Sequence, residues 1–505
     1  MRIEKSIYNV SSNIFIYAFR SIMMFVVRTI FIKVLGENLL GLDGLFTNIL
    51  LMLSMAELGI SNAINYSLYK PLAQNDTKKI SSLMSLYRKI YKVVGFSVLI
   101  IGLIVMLFLD HFIDNIPGVN ISLIYLIYLF DTVSMYFISY KETLIIADQN
   151  NYKLTKFNFI FYLIMYILQI LDLIYLKNFI LYLIIKIVVM FLQRIFINVY
   201  ITNNYKNVDF YSEEKVSDKD IKEIKTKVGA MFCHKIGNYV INGTDNIVIS
   251  KFINIATVGI YTNYLSVITM TNTLISGFYK GITASFGNLI VSEKENVQQD
   301  VFIKINFLGH IIYGLVSIGF AVLMNDFIVL WIGEKFLLPK IVVLIVCFNF
   351  YLDGIRQCID SIKESAGAYD KDKYIPIFQS LLNIIISIVL VKKIGIVGVV
   401  LGTLISNLLL PCWNRPYIIY KYIFKSSPKK YYKDYILNIL FILLSYILLN
   451  KLIIYINLTK NIVSFIINFI IVVVGYIVLV LIFYGRGENY RFYRNLFIGK
   501  IKKEK

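Results

Sequence analysis

Charge is scarce in this chain: Asp, Glu, Lys and Arg together make up 16% of its 505 residues. Soluble domains carry about 25%, so a chain this long lacks the solvated surface that would keep it in water. Proline is rare too, at 7 residues, which leaves helices free to run long with few forced breaks. The 4 cysteines (Cys233, Cys347, Cys358 and Cys412) all fall in apolar stretches, without zinc-site spacing or a disulfide framework. The 3 histidines, His111, His234 and His310, are too scattered to share a metal. No Gly-x-x-x-x-Gly-Lys-Ser/Thr loop occurs, which argues against ATP hydrolysis within the chain. No catalytic constellation stands out. The reading is a non-enzyme, with no cofactor. A cleavable signal peptide is not expected, because the first apolar run, from about residue 7 to 35, far exceeds a signal h-region.

Apolar residues, in contrast, make up 58% of the chain. A helix needs about 20 of them to cross the hydrocarbon core, and lipid forces backbone hydrogen bonds to close internally. The sequence therefore predicts an all-α polytopic membrane protein with about 14 transmembrane helices. They fall near residues 7–35, 39–68, 92–110, 121–140, 155–176, 178–201, 229–251, 257–288, 303–325, 339–361, 375–392, 395–420, 434–450 and 461–484.

The net charge of +20 invites comparison with nucleic-acid binders. Its distribution argues otherwise. Basic residues crowd alternate segments, such as Lys70 to Lys92, Lys206 to Lys227, Lys421 to Lys433 and the tail from Arg486 to Lys505. The segment Asp110 to Asn120 carries only acids among its Asp, Glu, Lys and Arg. By the positive-inside rule both termini are expected in the cytoplasm of a bacterial cell, with membrane lipids and not nucleic acid as the basic surface's partner.

The chain repeats itself. Gly44-Leu45-Phe46-Thr47-Asn48 matches Gly259-Ile260-Tyr261-Thr262-Asn263, an offset of 215 that also sets Arg20 on Lys235. Lys141-Glu142-Thr143 matches Lys363-Glu364-Ser365 at an offset of 222, which aligns Asp148 with Asp370 and Tyr152 with Tyr374. The predicted organisation is an N-lobe of six helices (1–201), a cytoplasmic linker (202–228), a C-lobe of six (229–420), a cytoplasmic loop (421–433), two further helices (434–484) and a basic cytoplasmic tail (485–505). An even number of helices inserts both repeats in the same orientation. Parallel repeats are a transporter architecture, with the substrate path expected between lobes that rock by alternating access. The final two helices hold almost no charge and read as a lipid-facing addition, not a cavity wall.

Ionisable residues inside the spans are costly, so they point to function. Arg20 and Arg28 sit eight residues apart in the first helix, near one face. A guanidinium at such a depth costs about 2.5–3.5 kcal/mol on an insertion scale. Lys235 takes the repeat position of Arg20, and Lys280 lies in the eighth helix. These four suggest a cationic lumen for an anionic, phosphate-bearing substrate. Against that stands the plainer reading, in which Arg28 and Lys280 snorkel and Arg20 pairs with an acid such as Glu57. Glu57 and Asp245 are the candidate ion-coupling groups or charge partners. Asp353 and Arg356 form an i,i+3 pair that neutralises itself, while Asp131 and Asp172 fall nearer helix ends. Residues 327–334 read as an amphipathic segment at the outer interface, and Pro411 as a kink in the twelfth helix.

Particular stretches carry a family resemblance. Leu35-Gly36-Glu37, Gly41-Leu42-Asp43-Gly44-Leu45-Phe46, Glu57-Leu58-Gly59-Ile60-Ser61-Asn62-Ala63-Ile64 and Leu68-Tyr69-Lys70-Pro71-Leu72 resemble bacterial oligosaccharide flippases of the Wzx type. So do Thr244-Asp245-Asn246-Ile247-Val248-Ile249-Ser250, Val258 to Tyr264, and Gly402-Thr403-Leu404-Ile405-Ser406. Those flippases belong to the multidrug/oligosaccharidyl-lipid/polysaccharide exporter superfamily. The resemblance implies two six-helix lobes, often with two extra helices. It also implies transport of undecaprenyl-pyrophosphate-linked oligosaccharide to the outer leaflet for capsule or surface polysaccharide. A polysaccharide polymerase and glycosyltransferases are the implied partners. Basic cavity residues would meet the pyrophosphate, with Arg20, Arg28 and Lys280 on the corresponding helices. Two other readings stay open: an ion-coupled exporter of small molecules of the multidrug type, and an integral membrane enzyme such as a polymerase.

Overall fold

A computed structural model describes residues 2–501, apart from 58–59, 114–115, 149, 215, 219, 223, 226–227, 229–242, 367 and 457–460; side chains are not described for 2–14, 278, 280 and a few other helical positions. No β-strand occurs among the described residues, and eleven candidate spans are long and apolar enough to cross a membrane. The protein is an all-α polytopic membrane protein. By compactness it divides into a unit of Met1–Thr262 and a unit of Asn263–Lys505.

The first unit begins with α1 (Arg2–Leu53), 52 residues long. At about 1.5 Å per residue that is more than twice the hydrocarbon thickness, so α1 must cross twice. It breaks at Gly36, whose φ of 82° and ψ of −177° lie outside the helical region. Only glycine adopts that geometry without strain. The two arms match the expected first helix and the start of the second. Where one uninterrupted helix over 39–68 was expected, the second arm ends at Leu53 and a 3₁₀ turn (Ser54–Glu57) follows it; α2 spans Ile60–Gln74.

Helix α3 (Thr77–Met106) begins fifteen residues before the expected position 92. Its first turns are charged but amphipathic. Ile80, Leu83, Met84, Tyr87 and Tyr91 are buried at helical spacing, and the Asp76 carboxylate caps the Lys79 amide at 3.0 Å. The charge that reads as loop is the solvated face of a helix. Next come α4 (Ile121–Ile138), α5 (Glu142–Ala147), α6 (Asn151–Leu171, prolonged by a π turn to Leu176) and α7 (Phe179–Asn204). The unit closes with α8 (243–252) and the start of α9 (Ile255–Ser292).

The second unit holds the rest of α9, α10 (Glu295–Ile332), α11 (Lys340–Ser365), α12 (Ile375–Ile394), α13 (Ile396–Leu409), α14 (Pro411–Ile418), α15 (Lys429–Ile456), α16 (Ile462–Tyr484) and α17 (Glu488–Ile501). Residues 327–332 are the last turns of α10, not a separate interfacial segment. The expected break at Pro411 is real: Leu410, at φ −118° and ψ −74°, separates α13 from α14. The added helices are tied in by a buried polar hub. His310 of α10 has Nδ1 2.7 Å from the Tyr351 hydroxyl and Nε2 3.1 Å from that of Tyr484, which donates to Asn438 at 2.8 Å. Four helices meet there.

In lipid the hydrophobic effect does not drive helices together, so close backbone approach and polar contacts must. The second arm of α1 lies so near α9 that a Cβ on Gly41 would sit 2.1 Å from the Ile255 carbonyl oxygen, and one on Gly259 would sit 2.3 Å from that of Glu37. Overpacking of this kind costs about 1–3 kcal/mol. Gly259→Ala should therefore lower the melting temperature in detergent by several degrees. Gly277→Ala, where nothing lies within 4 Å, should leave it unchanged or raise it, as checked by thermal unfolding of the two purified variants.

Candidate functional site

The charged groups of the first unit gather where α1, α4, α6, α7 and the start of α9 meet. Arg28 does not snorkel. Its Nη2 donates to the Thr262 hydroxyl at 2.9 Å, and that hydroxyl in turn donates to the Gly259 carbonyl at 2.9 Å. A cavity of about 80 Å³ adjoins it, lined by Met24, Val27, Arg28, Phe31, Leu40, Asp43, Tyr166 and Tyr182. That is room for about two or three waters at liquid density. The break at Gly36 turns α1 back on itself and so brings Asp43 to Arg28. Tyr128 of α4 donates its hydroxyl to Asp43 as well. A cation, a carboxylate and three tyrosines thus share one small polar space.

Arg20 lies two turns away on α1, its guanidinium carbon 4.4 Å from the centre of the Tyr162 ring. Tyr166, one turn along α6, interacts with Arg20 and lines the Arg28 cavity. Tyrosines at i and i+4 on α6 therefore accompany the two arginines of α1. Glu57 is not their counter-ion: it accepts the hydroxyl of Tyr91, whose ring packs against Tyr87 at 4.2 Å and Tyr136 at 5.6 Å. Asp245 is buried on α8 and bonded by the Tyr261 hydroxyl. Lys280 lies on α9, with its side chain outside the description. Lys235, His234 and Cys233 lie outside the described residues.

Several other charges within the helices are paired. Asp131, expected near a helix end, sits inside α4 and binds Arg194 of α7 at 2.8 Å, and Arg194 also donates to Ser134 at 2.7 Å. Asp172 is buried where the π turn of α6 begins. In the second unit Arg356 holds Asp353, as its spacing foretold, and donates to Asn407 at 3.2 Å. Lys363 of the repeat signature is buried against Asp372 at 2.6 Å. Its counterpart Lys141 donates to Asn198 at 2.9 Å and Thr202 at 2.7 Å.

Sequence reasoning picks out Arg28 but not Asp43, Tyr128, Tyr166, Tyr182, Arg194 or Thr262. Asp43 was visible only inside a structural motif, and the tyrosines are lost among 38 in the chain. Arg194, an arginine within an apolar run, carried the same signal as Arg28.

The unit also contrasts with a second, apolar cavity. A half-open cavity of about 390 Å³ is lined by Val267 and Thr271 of α9, residues from Leu315 to Phe327 of α10, and Phe465, Phe469, Val472 and Val473 of α16. The added helix α16 lines one side of this cavity, while most of its apolar residues, among them Ile466, Phe469, Ile470, Ile477 and Ile482, stay exposed. Its buried face repeats every four residues, through Ser464, Asn468, Val472, Tyr476 and Val480.

No family model matches the sequence, and no curated protein matches it. Solved structures do. The lipid II flippase MurJ in an inward closed conformation superposes with a TM-score of 0.65 at 16% identity, covering 95% of this chain and 99% of that one. An inward-facing MATE multidrug resistance transporter of the MOP superfamily gives 0.63 at 13% identity, covering 77% and 91%. A MOP-superfamily transporter from Pyrococcus furiosus, described as having a binding pocket of reversed polarity, gives 0.53 at 12%, covering 84% and 97%. The fold is that of the MOP-superfamily transporters. Its structural neighbours include a lipid flippase as well as multidrug transporters.

The Arg194–Asp131 pair is a structural contact and tests as one. Removing one partner of a buried pair costs about 3–5 kcal/mol. Arg194→Met should thus destabilise strongly, and Asp131→Leu added to it should restore most of the loss in a double-mutant thermal cycle. Arg28→Ala should act on transport as well as on stability, with part of the stability loss offset because Tyr128 still serves Asp43.

Proposed function

We propose that the chain is a flippase that carries undecaprenyl-pyrophosphate-linked oligosaccharide units from the inner to the outer leaflet of the bacterial cytoplasmic membrane, for capsule or another surface polysaccharide. Such a substrate has an anionic head, an uncharged glycan and a long isoprenoid tail. The observation that carries this reading is the apolar cavity walled by α16, which offers a tail a dry surface of aromatic and branched side chains. Arg28 and Arg20, with Lys280 and Lys235, supply the cationic groups for the head. The likeness to the lipid flippase also runs through 95% of this chain, against 77% for the multidrug transporter.

In this reading residues 1–201 and 229–420 are the two repeats, and both termini lie in the cytoplasm. A polymerase and glycosyltransferases of the same assembly line are the partners, and Glu57 and Asp245 are the coupling candidates. The second reading, an ion-coupled exporter of small molecules, draws on the multidrug transporters among the structural neighbours. Small-molecule sites are also lined mainly by apolar side chains, so the two readings part on the substrate that is moved.

A bulky substitution separates the two. Gly319 lines the apolar cavity and has nothing within 4 Å of an added Cβ. Gly319→Trp should fill the cavity without unfolding the protein. In proteoliposomes, movement of a fluorescent polyprenyl-diphosphate sugar should fall about tenfold or more, the effect of losing about 1.4 kcal/mol of tail contact. Transport of a soluble cationic dye with normal kinetics, and no movement of the polyprenyl probe by the unmodified protein, would favour the exporter.

A further inference from the structure

We propose that Lys186 is a second cationic contact for the substrate's phosphate groups in the first unit, acting beside Arg28; this rests on the flippase reading and specifies its anion site. Lys186 lies about 10 Å along α7 from Phe179, well inside the 26-residue helix. One turn before it, Tyr182 lines the Arg28 cavity and packs edge-on against Phe31 of α1 at 5.2 Å. Residues four apart share a helix face, so Lys186 points to the same interior. Its ammonium confirms this, standing 5.2 Å from the centre of the Tyr128 ring on α4. Tyr128 is the residue whose hydroxyl serves Asp43. The lysine therefore belongs to the polar space between α1, α4 and α7, not to the lipid face.

What distinguishes Lys186 is its lack of a counter-ion. Arg194 has Asp131, and Arg28 shares its cavity with Asp43. Among the described residues Lys186 forms no ion pair, and its recorded contact is the face of one tyrosine ring. Around this space stand three cations (Arg28, Lys186, Arg194) and two carboxylates (Asp43, Asp131), each of the two carboxylates already beside an arginine. An unneutralised ammonium in a membrane interior is a functional group by default. A compact ammonium with three donors suits phosphate oxygens as a point charge, while the planar guanidinium of Arg28 can bind a second phosphate in a fork. Two unlike cations linked through Tyr128, Asp43 and Tyr182 favour a diphosphate over a monophosphate. A cationic substrate would meet repulsion at the same place.

The test uses the full chain in nanodiscs and three fluorescent probes with the same short polyprenyl tail: diphosphate, monophosphate and free alcohol. The expected order for the unmodified protein is diphosphate tightest and alcohol weakest. Lys186→Ala should weaken diphosphate binding about tenfold, as for loss of one charge-assisted hydrogen bond, while alcohol binding stays the same. Lys186→Arg should keep most of the affinity, which a merely space-filling role would not require. If Lys186→Ala binds diphosphate like the unmodified protein while Arg28→Ala does not, Lys186 has no part in a site that still exists. If the unmodified protein shows no preference for diphosphate over alcohol, the flippase reading falls and the inference with it.

Discussion

Neutralising a guanidinium inside a bilayer organises the first unit. Arg28 lies inside the first arm of α1, and the chain brings partners to it. Glycine at position 36 turns α1 back and supplies Asp43. The start of α9 supplies Thr262, held in turn by the Gly259 carbonyl. Tyr128 on α4 and Tyr166 and Tyr182 on α6 and α7 complete the enclosure. Each of these contacts fixes a different helix against α1. The same cluster that makes one arginine tolerable thus also sets the packing of the unit, in a solvent where apolar side chains gain little by meeting one another.

The second unit solves the same problem with hydrogen-bonding side chains that carry no charge. His310 engages two tyrosines and, through one of them, Asn438, which draws the added helices α15 and α16 onto α10 and α11. Because α16 is held on its polar face, its phenylalanines and valines are free to wall an apolar cavity. Polar fastening and an apolar cavity lining share one helix.

Much of this was legible in the residues. The fold class followed from apolar runs of membrane length, and helix positions in the second unit agree to within a few residues for α11, α12 and α16. Boundaries failed where charge and helix coincide: the start of α3 is an amphipathic helix whose lysines face water, and no hydropathy pattern separates that from a loop. The site was half legible. Arg20 and Arg28 stood out because each costs free energy in lipid. Lys186 and Arg194 carry the same cost and stand eight residues apart in one apolar run, the spacing of Arg20 and Arg28, so the signal that marks the first pair marks the second as well. The partner of Arg194 is 63 residues away, and only packing of α4 against α7 reveals it. Glu57 shows the converse, since an acid within an apolar stretch reads as a charge partner for Arg20 and is held by a tyrosine.

The turn at Gly36 has a consequence for how the protein is made. Arg28 and Asp43 lie on the two arms of a single helical hairpin, fifteen residues apart. Contacts so close along the chain form early and cost little loop closure. The hairpin can therefore enter the membrane with its opposite charges already facing each other, before α4, α6 or α7 has left the ribosome. Biogenesis then begins with the very pair that later borders the cavity. A substitution that removes Asp43 would strand Arg28 at that first step and act on the yield of inserted protein before it could act on transport.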